Sequence, residues 1–114
     1  MSASVYKISQ EGNGPMTVTM TVPVGQTYRL ISVSCRFSAA PTTSEFFTVT
    51  QDTDAGAVYD VLLYTLDPSV GGIYSIIYQP TEEMFLEGGD AVVATYAGTD
   101  GRHWGVQITV KAVP

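Results

Sequence analysis

The side chains able to do chemistry in this chain are few and scattered. His103 is the sole histidine and Cys35 the sole cysteine, and they lie far apart in sequence. A zinc site needs three or four such ligands, so one copy of the chain does not build one. Nucleophilic catalysis needs a nucleophile, a base and a group that orients the base. His103 is the only conventional base, and it sits between Arg102 and Trp104 beside a turn, where it is expected to be exposed. There is no Gly-x-Ser-x-Gly elbow. Cys35 shares its alternation phase with Ile31, Val33 and Phe37, which predicts a small buried hydrophobe rather than a nucleophile.

The acidic residues form no recognisable constellation. Asp52-x-Asp54-x-Gly56 resembles a fragment of a calcium loop, but position 55 is Ala and position 62 is Leu where oxygen ligands belong. It reads as an Asp/Gly turn. Glu82 and Glu83 are adjacent, so on a strand they point to opposite faces, a poor geometry for a glycosidase pair. Asp60, Glu87 and Asp90 are further carboxylates that nothing selects as partners. Gly88-Gly89 lacks the lysine of a phosphate loop and leads into a strand. No catalytic residue, cofactor site or metal site is expected. Seven tyrosines and one tryptophan keep sugar stacking in play, although Trp104 heads the apolar phase of the last strand and is expected in the core.

What must position these groups is a set of strands. Met16, Val18, Met20 and Val22 alternate with Thr17, Thr19 and Thr21, and Trp104, Val106, Ile108, Val110 and Ala112 alternate with polar or small residues. A period of two assigns each set to one face of a strand. Turn signals recur at 11–15, 23–25, 39–44, 52–56, 67–72, 87–90 and 98–101. The expected strands are 16–22, 27–37, 45–51, 57–66, 73–79, 84–86, 91–97 and 103–112. Residues 1–10 form either an arm or an edge strand. Leu30 and Ile31 are adjacent apolar residues, which marks the early part of strand 27–37 as a candidate bulge. Helices between strands are absent, which excludes parallel βαβ topology. The expected fold is all-β: a single-domain, two-sheet β-sandwich of jelly-roll or related Greek-key type, with about eight antiparallel strands over residues 1–114.

Composition narrows the partners. The chain has 114 residues, 45% hydrophobic and 14% charged, with net charge −6 and five basic residues. Lys7, Arg29, Arg36, Arg102 and Lys111 do not cluster in sequence, so the chain shows no basic footprint for nucleic acid and none for an anionic membrane. No apolar run approaches the ~20 residues of a membrane helix, and no secretory signal is visible. Synthesis in the cytosol is expected.

Two strands break the alternation. In 57–66 one phase holds Tyr59, Val61 and Leu63, and the other holds Val58, Leu62, Tyr64 and Leu66. In 73–79 one phase holds Ile73 and Ile77, and the other holds Tyr74, Ile76 and Tyr78. Apolar residues on both faces call for a cover, since large bare apolar patches are rare on soluble monomers. Either the chain's own loops and N-terminal arm supply it, or another subunit does. Val58, Leu62, Tyr64, Leu66, Tyr74, Ile76 and Tyr78 are the candidate oligomer or partner interface.

Three stretches carry a resemblance: VPVGQTYRLISVSCRF (22–37), AAPTTSEFFTVTQ (39–51) and FLEGGDAVVATYAGTDGRHWGVQITV (85–110). They resemble small β-sandwich virion proteins of tailed bacteriophages, over roughly residues 16–112. The resemblance implies a virion structural protein without catalytic residues. One expectation is a capsid decoration (cement) protein, a homo-oligomer, with a trimer favoured, bound to the major capsid protein or another virion protein. The alternative is a tail- or fibre-associated carbohydrate- or receptor-binding module. Fold analogy alone does not choose between them.

Overall fold

The computed structural model describes residues 4–113. Nine strands run in chain order: β1 (Val5–Asn13), β2 (Met16–Thr21), β3 (Thr27–Phe37), β4 (Phe47–Asp52), β5 (Val61–Leu66), β6 (Ser75–Tyr78), β7 (Phe85–Glu87), β8 (Ala91–Tyr96) and β9 (His103–Ala112). All pair antiparallel. The first sheet, sheet A, has the order β1-β9-β3-β6, with β7 also on β3; the second, sheet B, has the order β2-β8-β4-β5. β7 pairs with Thr27–Arg29 and β6 with Val33–Arg36, so the two lie along the same edge of β3 as one interrupted strand. Counted that way there are eight strands in two sheets of four. Successive strands cross between the sheets except for β4–β5 and β6–β7, and the first strand, β1, pairs with the last, β9. This is the connectivity of a jelly roll.

The core lies between the sheets and is filled by the inward phase of each strand. β2 alternates buried and exposed along its whole length, with Met16, Val18 and Met20 inward and its three threonines outward. Val33, Cys35 and Phe37 of β3, Phe47 and Val49 of β4, Val92, Ala94 and Tyr96 of β8, and Trp104, Val106, Ile108 and Val110 of β9 complete one continuous cluster. The expected bulge is present: the β3–β9 register slips between Leu30 and Ser32. The extra residue is Ile31, so Leu30, not Ile31, takes the inward position upstream of it. A one-residue insertion reverses the phase of everything before it.

Strand 57–66 and strand 73–79 differ from expectation in a related way. Ala57–Tyr59 form a short 3-10 turn, and β5 starts only at Val61. The β4–β5 register slips as well: Val49 faces Tyr64 while Thr50 faces Leu62, which leaves Leu63 as the extra residue. Tyr64 and Leu66 therefore turn toward the core behind Val49 and Phe47, and Leu62 turns outward beside Thr50. In β6, Ile76 faces Cys35 and is 3% exposed. Ile76 is a core residue, and its assignment to an interface is corrected here. Ile77, one residue on, faces Ser34 and is 66% exposed.

The N-terminal segment is an edge strand over the residues described. β1 pairs with β9 from Val5↔Lys111 to Asn13↔His103. Tyr6 and Ile8 belong to its inward phase, and the Tyr6 ring stacks on Tyr28 with centroids 5.6 Å apart. Residues 1–3 of the expected arm lie outside the described residues.

Candidate functional site

The residues with reactive side chains are spread apart and mostly committed to structure. Burial pushes the Cys35 thiol up to about 12, so it stays protonated and acts as a small core side chain. His103 is exposed at the start of β9, facing Asn13 of β1. Glu83 bonds Arg29 at 3.1 Å, and Glu87 accepts the Thr27 hydroxyl at 3.0 Å. Asp60 accepts the Thr53 backbone N–H at 2.9 Å, within the 53–56 turn that the Asp/Gly pattern predicts. Asp90 accepts two backbone N–H groups, from Asp54 and Glu87, both at 3.0 Å, and so ties the β7–β8 corner to the loop after β4. Among the described residues no three His, Cys, Asp or Glu side chains gather in a metal-holding group.

Carboxylates also brace the loops at one end of the sandwich. Asp67 accepts hydrogen bonds from the Ser44 hydroxyl at 2.5 Å and the Ser69 hydroxyl at 2.7 Å, which lower its pKa. The Thr42 N–H at 2.8 Å does the same for Asp100. A carboxyl whose pKa is depressed by folding stabilises the fold above its unfolded value and loses that contribution as pH falls through its folded value. The melting temperature is expected to hold from about pH 8 to pH 5 and to fall below about pH 4. Both groups are half-buried at the surface and remain in contact with water, so the slope per residue is small. Asp67→Asn and Asp100→Asn should each flatten the acid limb in scanning calorimetry; a limb identical to wild type in both would show that the loop carboxylates do not contribute.

The predicted interface residues divide into three groups. Ile76 is core. Tyr64, Leu66 and Tyr78 are partly buried against the core, with the Tyr64 and Tyr78 rings stacked at 5.2 Å across the gap between β5 and β6. Val58 (85% exposed), Leu62 (58%) and Tyr74 (52%) are on the surface. Tyr59 and Val61 are exposed too, so residues 58, 59, 61 and 62 place a run of bare apolar side chains at the free edge of sheet B.

That edge continues into a face whose character the strand register creates. Thr17, Thr95, Thr48 and Thr65 stand opposite one another across β2, β8, β4 and β5. Thr19, Val93, Thr50 and Leu62 form the next row. The Thr48 and Thr95 hydroxyls are hydrogen-bonded to each other. Two complete rows of the outer face of sheet B thus carry no charge, on a chain of net charge −6.

The outer face of sheet A is the opposite. Lys7, Arg29, Arg36 and Lys111 all belong to outward phases of β1, β3 and β9, so four of the five Lys and Arg side chains of the chain share one face. Glu11, Gly105, Arg36 and Ser75 form one cross-strand row, and Ser9, Gln107, Ser34 and Ile77 the next. Gly105 has no side chain, and nothing stands within 4 Å of where one would begin. The surface dips there into a depression of about 580 Å³, and a second of about 460 Å³ adjoins it toward Tyr74 and His103. The Arg36 guanidinium lies 5.9 Å from the centre of the Tyr74 ring. Sequence order hid this convergence, because the four cations sit on three strands distant in the chain. The one available signal was the polar phase of Lys7, Arg36 and Lys111; Arg29 reads in the apolar phase of its strand until the Ile31 bulge reverses it.

Compared with known proteins, the chain matches no family model and no curated protein at a significant level.

Proposed function

We propose that the protein is a non-enzymatic structural protein of a bacteriophage virion, a capsid decoration (cement) protein that works as a homo-oligomer, a trimer, bound to the major capsid protein or another virion protein. The observation that carries this reading is the pair of uncharged rows on the outer face of sheet B together with the exposed Val58, Tyr59, Val61 and Leu62. An acidic surface protein has little use for such a face in water, whereas subunit contacts favour depletion of charge. The virion assignment rests on the resemblance of residues 22–37, 39–51 and 85–110. The jelly roll is also a fold of capsid components, which is analogy and not proof.

The mechanism is mass action. A protein that binds only the assembled lattice lowers the free energy of that lattice relative to its parts. A symmetric oligomer repeats the same weak contact, and linked contacts multiply through effective concentration. Light scattering of the purified protein should show an oligomer. Thr19→Lys combined with Leu62→Lys places two charges on the exposed part of this face and should yield a folded monomer. A monomeric wild type at tens of micromolar, or an oligomer indifferent to both lysines, removes this face from assembly. Mass spectrometry of particles gives the location: high copy number supports the head, a few copies the tail, and absence ends the virion reading.

A second reading is favoured by a separate observation. The depression on sheet A, with its mixed polar lining, supports a tail- or fibre-associated module that binds carbohydrate on a receptor.

A further inference from the structure

We propose that the outer face of sheet A binds an acidic oligosaccharide, laid across the strands over Gly105 with a carboxylate on Arg36. The proposal rests on the carbohydrate-binding reading of this face and names the class of sugar.

The charge distribution comes first. The chain repels anions as a whole, yet four of its five cations stand on this face: Arg36 lines the depression, with Glu11 across Gly105 from it, while Lys7, Arg29 and Lys111 lie two and three cross-strand rows away. Arg29 is engaged by Glu83, but Lys7, Arg36 and Lys111 form no salt bridge among the described residues. In the depression itself, a ligand carboxylate has one unpaired guanidinium to meet, that of Arg36.

The lining then selects the kind of anion. Arg36 offers a planar fork suited to a carboxylate, and the Tyr74 ring beneath it limits how it can swing. The Gln107 side-chain N–H donates to the Ser9 hydroxyl at 3.2 Å, which fixes the amide and leaves its oxygen to accept. Glu11, Ser34 and Ser75 add acceptors and hydroxyls along the same two rows. Alternating donors and acceptors match a ligand carrying many hydroxyls, and Ile77 gives its apolar ring face a surface to rest on. Nucleic acid fits less well: one guanidinium is too little charge for a run of phosphates, and the aromatic side chain at the rim already faces Arg36. A lone phosphate fits poorly too, since the strands here spend their backbone N–H groups on the sheet.

Gly105 supplies the decisive variant. Its backbone is strand, and a side chain there meets empty space, so Gly105→Val fills the depression while favouring the fold. The full-length protein should be screened against uronate- and sialate-containing oligosaccharides, their carboxyl-reduced counterparts, neutral glucans and single-stranded DNA, with titration calorimetry of the best ligand. Binding to the acidic sugars is expected, weakened at least about tenfold by Arg36→Gln, as for loss of a charge-assisted hydrogen bond. It should be abolished by Gly105→Val, with circular dichroism unchanged and melting not lowered in either variant. Equal binding of the reduced or neutral sugars overturns the acidic ligand and leaves the carbohydrate reading standing. No sugar binding at all ends both. Preference for DNA, or acidic-sugar binding unaffected by either substitution, also overturns the proposal.

Discussion

Gly98→Ala is expected to destabilise the protein by about 3 kcal/mol or more and to lower its melting temperature by roughly 10–20 °C. Gly98 begins the β8–β9 turn with φ +62, and a Cβ there would overlap the Gly14 carbonyl and come within 2.9 Å of the Pro15 nitrogen. Two costs add. The left-handed backbone disfavours a side chain by about 1–2 kcal/mol. The overlap is with backbone, which cannot swing aside as a flexible side chain would, so one of two packed turns must move. Gly101 closes the same turn with φ +69 but faces open space. Gly101→Ala therefore carries the first cost alone, about 1 kcal/mol, and a few degrees of melting temperature. The difference between the two variants measures the contact between the β1–β2 and β8–β9 turns. Equal melting temperatures would show that the turns are not pressed together.

How much of this was legible in sequence varies with the kind of strand. β2 and β9 alternate cleanly, and their inward residues read off directly, Trp104 included. The Ile31 bulge was visible because two apolar residues in a row break the period. The Leu63 bulge was not, because β5 reads apolar in every phase, and a slip between two apolar residues leaves no mark. Only the pairing with β4 settles it. Ile76 was misplaced for the same reason: β6 has four residues, three of them apolar, too few to define a period. Its partner Cys35, far away in the chain, decides which way it points.

The surfaces show a second limit. Lys7, Arg29, Arg36 and Lys111 look dispersed because sequence distance is a poor guide to distance across a sheet of antiparallel strands. β1 and β9 are the two ends of the chain, yet they are neighbours, and Lys7 and Lys111 project from them to the same side. The threonine rows of sheet B arise likewise from four strands whose outward phases are each unremarkable alone. A jelly roll builds its faces from residues far apart in the chain, so composition announces that such faces exist and register alone assembles them.

Replacing Trp104 tests the same end of the sandwich from inside. Its indole N–H donates to the Gly14 carbonyl at 3.0 Å, and Gly14 in turn donates its N–H to the Arg102 carbonyl at 3.0 Å. Trp104→Ala opens a cavity under both turns and should cost about 3–5 kcal/mol, enough to unfold a domain of ordinary stability near its working temperature. Trp104→Phe keeps most of the ring but leaves the Gly14 carbonyl without its donor, for about 1–3 kcal/mol. The indole also explains Gly12, where a Cβ would stand within 2.9 Å of its ring atoms. Gly12→Ala is thus costly beside Trp104 and cheaper beside a smaller ring, so the two substitutions should couple, with Trp104→Phe plus Gly12→Ala losing less than the sum of the single losses. Circular dichroism has to follow the unfolding, since Trp104 is the only tryptophan. Strict additivity would mean that Gly12 is required by something other than the indole, and that the turn is held by its backbone bonds alone.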